Sequence, residues 1–114
     1  MSEAIEKIEF DNVLGFDIVI SALPEYLSIT DIMEFETEDE KNELIEKLDN
    51  YDLMLFCARV QCYKKGILLG SDFLGGCIYE DLENFVETER EFYLKDMIKT
   101  AISESKQMIQ DLTA

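Results

Sequence analysis

Met54, Phe56, Ala58, Val60 and Cys62 alternate with Leu55, Cys57, Arg59, Gln61 and Tyr63. A period of two predicts a β-strand with one buried face. Lys64-Lys65-Gly66 follows as a short turn, with Gly where a positive φ is needed. Ile67-Leu68-Leu69 then begins a return strand, which Gly70, Gly75 and Gly76 interrupt. Those glycines predict a bulge, a bend or a close approach of another backbone. Upstream, Ile8 and Phe10 open a strand and Asp11 to Gly15 reads as a turn. Phe16, Ile18, Ile20 and Ala22 alternate with Asp17, Val19 and Ser21 as far as Pro24, which cannot donate to a ladder.

Helical spacing marks the remaining segments. Ser28 or Thr30 is placed to cap a short turn through Ile32 and Met33. Thr37-Glu38-Asp39-Glu40 has the form of a capping box and predicts a helix with a narrow apolar stripe of Leu44, Ile45 and Leu48. Leu82, Phe85 and Val86 give a short helical face. Thr88-Glu89-Arg90-Glu91 reads as a second capping box, opening the longest helix, to about Leu112. In it Leu94, Ile98, Ala101, Ser105, Met108 and Leu112 step by four and three, and Met97, Ile102 and Ile109 widen the stripe. These elements predict an α+β fold in a single domain, residues 1–114. It should have an antiparallel sheet of three to four strands, helices mainly on one face and a long C-terminal helix. The wide stripe of that helix suits packing on the sheet or the seam of a homodimer.

Charge changes this picture. The chain carries 26 acids against 10 Lys and Arg, a formal net charge of −16, where a small soluble domain usually carries a magnitude of about 2–8. The excess is partitioned. Residues 31–52 sum to −8 and residues 80–91 to −5, whereas Leu53 to Tyr79 sums to +2 and residues 92–114 to zero. An apolar hairpin thus sits inside an acidic wrapping. Such a charge opposes direct binding to nucleic acid or to an anionic membrane, which carry the same sign. It points to basic protein surfaces as partners.

The remaining composition mostly excludes. Hydrophobic residues make up 47% of the chain, enough for a core. No apolar run approaches the roughly 18 residues of a membrane span, and the acidic start MSEAIEKIEF is unlike a signal peptide, so a cytoplasmic protein is expected. Cys57, Cys62 and Cys77 are odd in number, and Cys57 and Cys62 fall on opposite sides of one strand. They read as small buried hydrophobes in a reducing compartment. There is no His, so a Cys nucleophile lacks its usual base and zinc would need carboxylate ligands. The glycine segment lacks the Lys-Ser/Thr of a phosphate loop. Glu36 to Glu40 could attract a divalent cation but lacks the EF-hand spacing and its central Gly. No enzyme activity, cofactor or dedicated metal site is expected.

A polyanion mimic remains. DNA presents a phosphate about every 3.4 Å along each strand, and helical acids at i, i+3 and i+4 stand about 5–6 Å apart at Cβ. A solvated surface accounts for exposed acids, but less well for an excess concentrated in two segments. The candidate contact residues are Glu34, Glu36, Glu38, Asp39, Glu40, Glu43, Glu46 and Asp49, with Glu80, Asp81, Glu83 and Glu87 as a second patch. Tight binding also needs apolar or aromatic anchors, and Tyr26, Phe35, Tyr51, Tyr79 and Phe92 flank the acidic segments.

The runs FCARV, KKGILLGSDFLGGCIYEDLENF and FYLKDMIKTAI resemble a pattern in small uncharacterised acidic proteins of phages and mobile elements. The resemblance covers roughly the C-terminal half, and Gly70 to Cys77 is its most specific part. It carries over no activity and no functional residue. It implies a setting, a phage-encoded accessory protein that binds machinery in the cytoplasm of a bacterial host. Charge and setting together predict an acidic, non-catalytic inhibitor of a basic nucleic-acid-binding protein, of anti-CRISPR or anti-restriction type, acting as a DNA mimic. The alternative is an oligomeric adaptor or structural interaction protein using the apolar C-terminal helix.

Overall fold

A computed structural model describes residues 4–113. The elements run β1 (Glu6–Val13), β2 (Phe16–Pro24), α1 (Ile29–Ile32), α2 (Glu38–Asp49), β3 (Met54–Lys64), β4 (Ile67–Tyr79), α3 (Leu82–Glu89) and α4 (Tyr93–Thr113). The four strands form one antiparallel sheet in the order β1-β2-β3-β4. The predicted α+β architecture with a long C-terminal helix is the one observed.

Both hairpins close on two residues with positive φ. Leu14 and Gly15, at φ 52° and 88°, join β1 to β2, while Lys65 and Gly66, at 52° and 78°, join β3 to β4. Two successive positive values match the strand twist of a tight hairpin. The first turn is thus narrower than the Asp11–Gly15 expected, because β1 runs on to Val13 with an irregularity at Asn12, φ 54°.

The period of two in β2 and β3 became one continuous buried face, and on the opposite face of β2 Ser21 and Leu23 are buried as well. Ile18 faces Cys62, Ile20 faces Val60 and Ala22 faces Ala58, all with no exposed area. Helix α4 packs on β4 and β3, and α3 meets β1, β4 and α4. Phe56, Tyr79 and Phe85 join at the base, with ring centroids 5.1–6.2 Å apart. Leu94, Met97, Ala101, Ile102 and Ser105 of α4 are buried in this core. The stripe therefore packs on the sheet within one chain, and of its members Met108 and Leu112 stay exposed.

The interrupting glycines do two different things. A Cβ on Gly70 would run into the carbonyl oxygen of Ala101 and lie 2.7 Å from Ser105 Oγ. Gly70 is thus where α4 lies directly on the sheet. Gly75 and Gly76 together oppose Cys57 alone, between the pairs Leu74–Ala58 and Cys77–Phe56, and Gly76 has φ 67°. That is a bulge, one strand carrying an extra residue.

One predicted helix start differs from that observed, and one predicted capping box closes differently. Thr88 lies inside α3, and α4 begins at Tyr93. No capping box forms at Thr88, because Leu82, Phe85 and Val86 bury their face and carry the helix through it. Instead, Glu89 takes the corner, accepting from Tyr79 Oη at 2.8 Å and from the Tyr93 amide at 3.4 Å. At α2, Thr37 Oγ1 accepts from the Glu40 amide at 3.2 Å as expected, but the Glu40 carboxylate accepts from Glu36 at 3.3 Å rather than from Thr37.

Candidate functional site

Helix α2 sits outside the core. None of its residues is buried, and its stripe of Leu44, Ile45 and Leu48 is only half-covered. Thr37 caps its start, and Glu38, Asp39 and Glu40 in the first turn suit the positive end of the helix dipole. Its far end is a Schellman closure: the Asp52 amide donates to Lys47 O at 2.9 Å and the Tyr51 amide to Leu48 O at 3.2 Å. This closure places Tyr51 at φ 62°, a left-handed position where Gly is usual. The Tyr51 ring is nonetheless 91% exposed. A bulky side chain in that conformation costs about 1–2 kcal/mol, and nothing in the fold's own packing offsets it.

Glu34, Glu36, Glu38, Asp39, Glu40, Glu43, Glu46 and Asp49 are all exposed. The structure brings most of this first patch together on and beside one helix. Glu40 is partly committed, as the acceptor for Glu36. At 100° per residue Asp39, Glu43 and Glu46 fall within about 60° of each other, opposite Leu44, Ile45 and Leu48. Only Glu43 has a cation close by, Lys47 Nζ at 3.6 Å, and that pair is solvent-exposed. Among the described residues the only other ion pair is Lys95–Glu91 at 3.8 Å. The negative charge is thus left almost wholly uncompensated.

The second patch divides. Glu80, Glu83 and Glu87 are exposed, but Asp81 is half-buried and caps α3, its Oδ1 accepting from the Asn84 amide at 2.7 Å. Of the flanking aromatics, Tyr26 (83% exposed) and Phe92 (67%) join Tyr51 in solvent. Phe35 is half-buried, and Tyr79 is tied to Glu89, where burial and that carboxylate raise its phenol well above its ordinary range.

Periodicity does not single out Glu25. Its carboxylate accepts from the Gly76 amide at 2.8 Å and from Leu27 at 3.2 Å, and these bonds hold its pKa below the usual value. It ties the chain after β2 to the β4 bulge. Burial raises the thiols of Cys57, Cys62 and Cys77, Cys77 to about 11, and all three are free. Among the described residues no three His, Cys, Asp or Glu side chains are grouped to hold a metal ion, and no helix is long and apolar enough to cross a membrane.

Comparison with known proteins identifies no relative: no family model, curated protein or solved structure matches the chain.

Proposed function

We propose that the protein is a non-catalytic inhibitor whose acidic helix α2 occupies the nucleic-acid groove of a basic host protein. The observation that carries this reading is the combination at α2 of uncompensated acids with an exposed, conformationally strained Tyr51. Acids alone steer encounter and confer salt sensitivity; an aromatic anchor supplies the desolvated contact that holds a complex. Strain at an exposed aromatic makes sense where the ring is used in binding. The proposed contact residues are Glu34, Glu36, Glu38, Asp39, Glu43, Glu46 and Asp49 with Tyr51, and Glu80, Glu83 and Glu87 as a flanking patch. The proposed setting is phage interference with a CRISPR or restriction nuclease of a bacterial host.

The test is capture of host proteins on the immobilised chain at low salt, followed by elution in a salt gradient. A basic nucleic-acid-binding protein should elute, and free DNA should compete it off. Reversing Glu36, Asp39, Glu43 and Glu46 to Lys should abolish capture while circular dichroism shows an intact fold. Full binding by that folded variant sinks the reading.

A further inference from the structure

Four of the ten cations lie together. Arg90, Lys95, Lys99 and Lys106 line a trough of about 400 Å³ between α4 and the tip of the β1–β2 hairpin. Its apolar lining includes Leu14, Ile98 and Ile102. The trough lies where α4, packed mainly on β4 and β3, passes the tip of the β1–β2 hairpin. At 100° per residue Lys95, Lys99, Ile102 and Lys106 fall within about 60° of one another, away from Asp96, Glu104 and Asp111. The neutral total of this helix thus conceals a cationic face. Among the described residues only Lys95 of the four has a carboxylate within salt-bridge reach. Leu14 repeats the oddity of Tyr51: it is 78% exposed at φ 52°.

We propose that this trough receives the acidic face of α2 from a second copy of the chain. Each surface has what the other lacks. The trough offers lysines around an apolar lining; α2 offers Asp39, Glu43 and Glu46 on its outward face with the Tyr51 ring at its end. The spacing agrees, since Asp39 to Glu46 and Lys99 to Lys106 are each seven residues, about 10.5 Å along a helix. Two copies docking reciprocally make two identical contacts about a two-fold axis, which closes the assembly. The charge of −16 on each copy opposes approach at long range, but at physiological ionic strength screening acts beyond about 8 Å and leaves the direct contacts. Self-docking covers the face of α2 proposed above to engage a basic partner, so the pair is a self-masked store of inhibitor. The contact itself requires no foreign partner.

Sedimentation of the full chain over a range of concentrations at physiological salt tests this. The wild-type mass should rise from one copy to two. K99E/K106E and D39K/E46K should each remain single copies, with circular dichroism showing both folded. Their equimolar mixture should recover the doubled mass, because each variant then faces the complement of its altered surface. A single-copy mass at every wild-type concentration overturns the proposal, whether or not the trough accepts a foreign acidic segment. Association that both variants retain also overturns it, by placing the contact elsewhere. Neither result bears on capture of a basic host protein, which is read separately.

Discussion

Helices α2 and α4 are both amphipathic in sequence, yet the fold treats them in opposite ways. Helix α4 buries Leu94, Met97, Ala101, Ile102 and Ser105 against the sheet, while α2 buries nothing. The difference lies in stripe width and in size at the contact. A stripe of three residues covers little surface, whereas α4 presents small residues, Ala101 and Ser105, where Gly70 lets the helix sit on the strand. Stability and negative charge are thereby separated: the folding free energy comes from the sheet, α3 and α4, and α2 is left free to carry acids the core could not tolerate.

The largest expected effect comes from closing the gap beneath α4. Ser105 is fully buried, and its hydroxyl donates to Ala101 O at 2.8 Å. Ser105→Glu forces a carboxylate into that space without a cation, at a cost above about 4 kcal/mol. Gly70→Val drives side-chain atoms into the Ala101 carbonyl. Both variants should lose the cooperative thermal transition followed by circular dichroism. Ser105→Ala, which keeps the volume small, should cost no more than about 1.5 kcal/mol. If Ser105→Glu melts as the wild type does, α4 is not seated as described.

At the end of α2 the sign reverses. Tyr51→Gly relieves the left-handed strain and should raise stability by about 1 kcal/mol, part of the relief being offset by the added freedom of the unfolded chain. For a domain of this size that is a rise in melting temperature of about 4 °C. The same substitution should weaken capture of the basic partner. A gain in stability with no loss of binding would mean that the ring is not an anchor.

This contrast was only half legible in the sequence. Alternation located β2 and β3, and the helical face of Leu82, Phe85 and Val86 located α3, because each pattern had a single packing solution. The stripe of α4 had two, core or seam, and periodicity cannot say which surface covers it. Ala101 and Ser105 four residues apart, with a glycine in the return strand, were the available sign of close helix-on-sheet packing. Thr88 misled because a capping box is local, whereas the burial of Phe85 and Val86 is tertiary and carries α3 past it. At the candidate site the acids were legible as a count and a segment. The strain at Tyr51, the Glu25–Gly76 tie and the cationic trough were not, since each arises from backbone conformation or from elements distant in sequence.

The acidic segment after β4 offers an internal control of intermediate size. Asp81 and Glu83 are two residues apart, but only Asp81 accepts the Asn84 amide as a cap. Asp81→Ala should lower stability by about 1 kcal/mol in chemical denaturation. Glu83→Ala should stay within about 0.5 kcal/mol, as is usual for exposed positions away from such features. Equal losses would show that the two acids act through charge alone, and that the cap contributes nothing.

The smallest effect bears most directly on what the acids of α2 are for. Asp39, Glu43 and Glu46 lie on the outward face, and only Glu43 is paired, by an exposed bridge of the kind that contributes little. Replacing Asp39 by Asn and Glu43 and Glu46 by Gln removes charge without changing shape. If these acids helped to hold the fold, stability would fall. If they only repel their neighbours, the net charge moves toward zero, self-repulsion eases and stability rises slightly, by less than about 0.5 kcal/mol. The gain should shrink as salt is added, because salt already screens the repulsion that the substitution removes. A gain that disappears in salt, together with loss of partner capture, identifies these carboxylates as groups the fold carries at a small cost to itself and for use outside it.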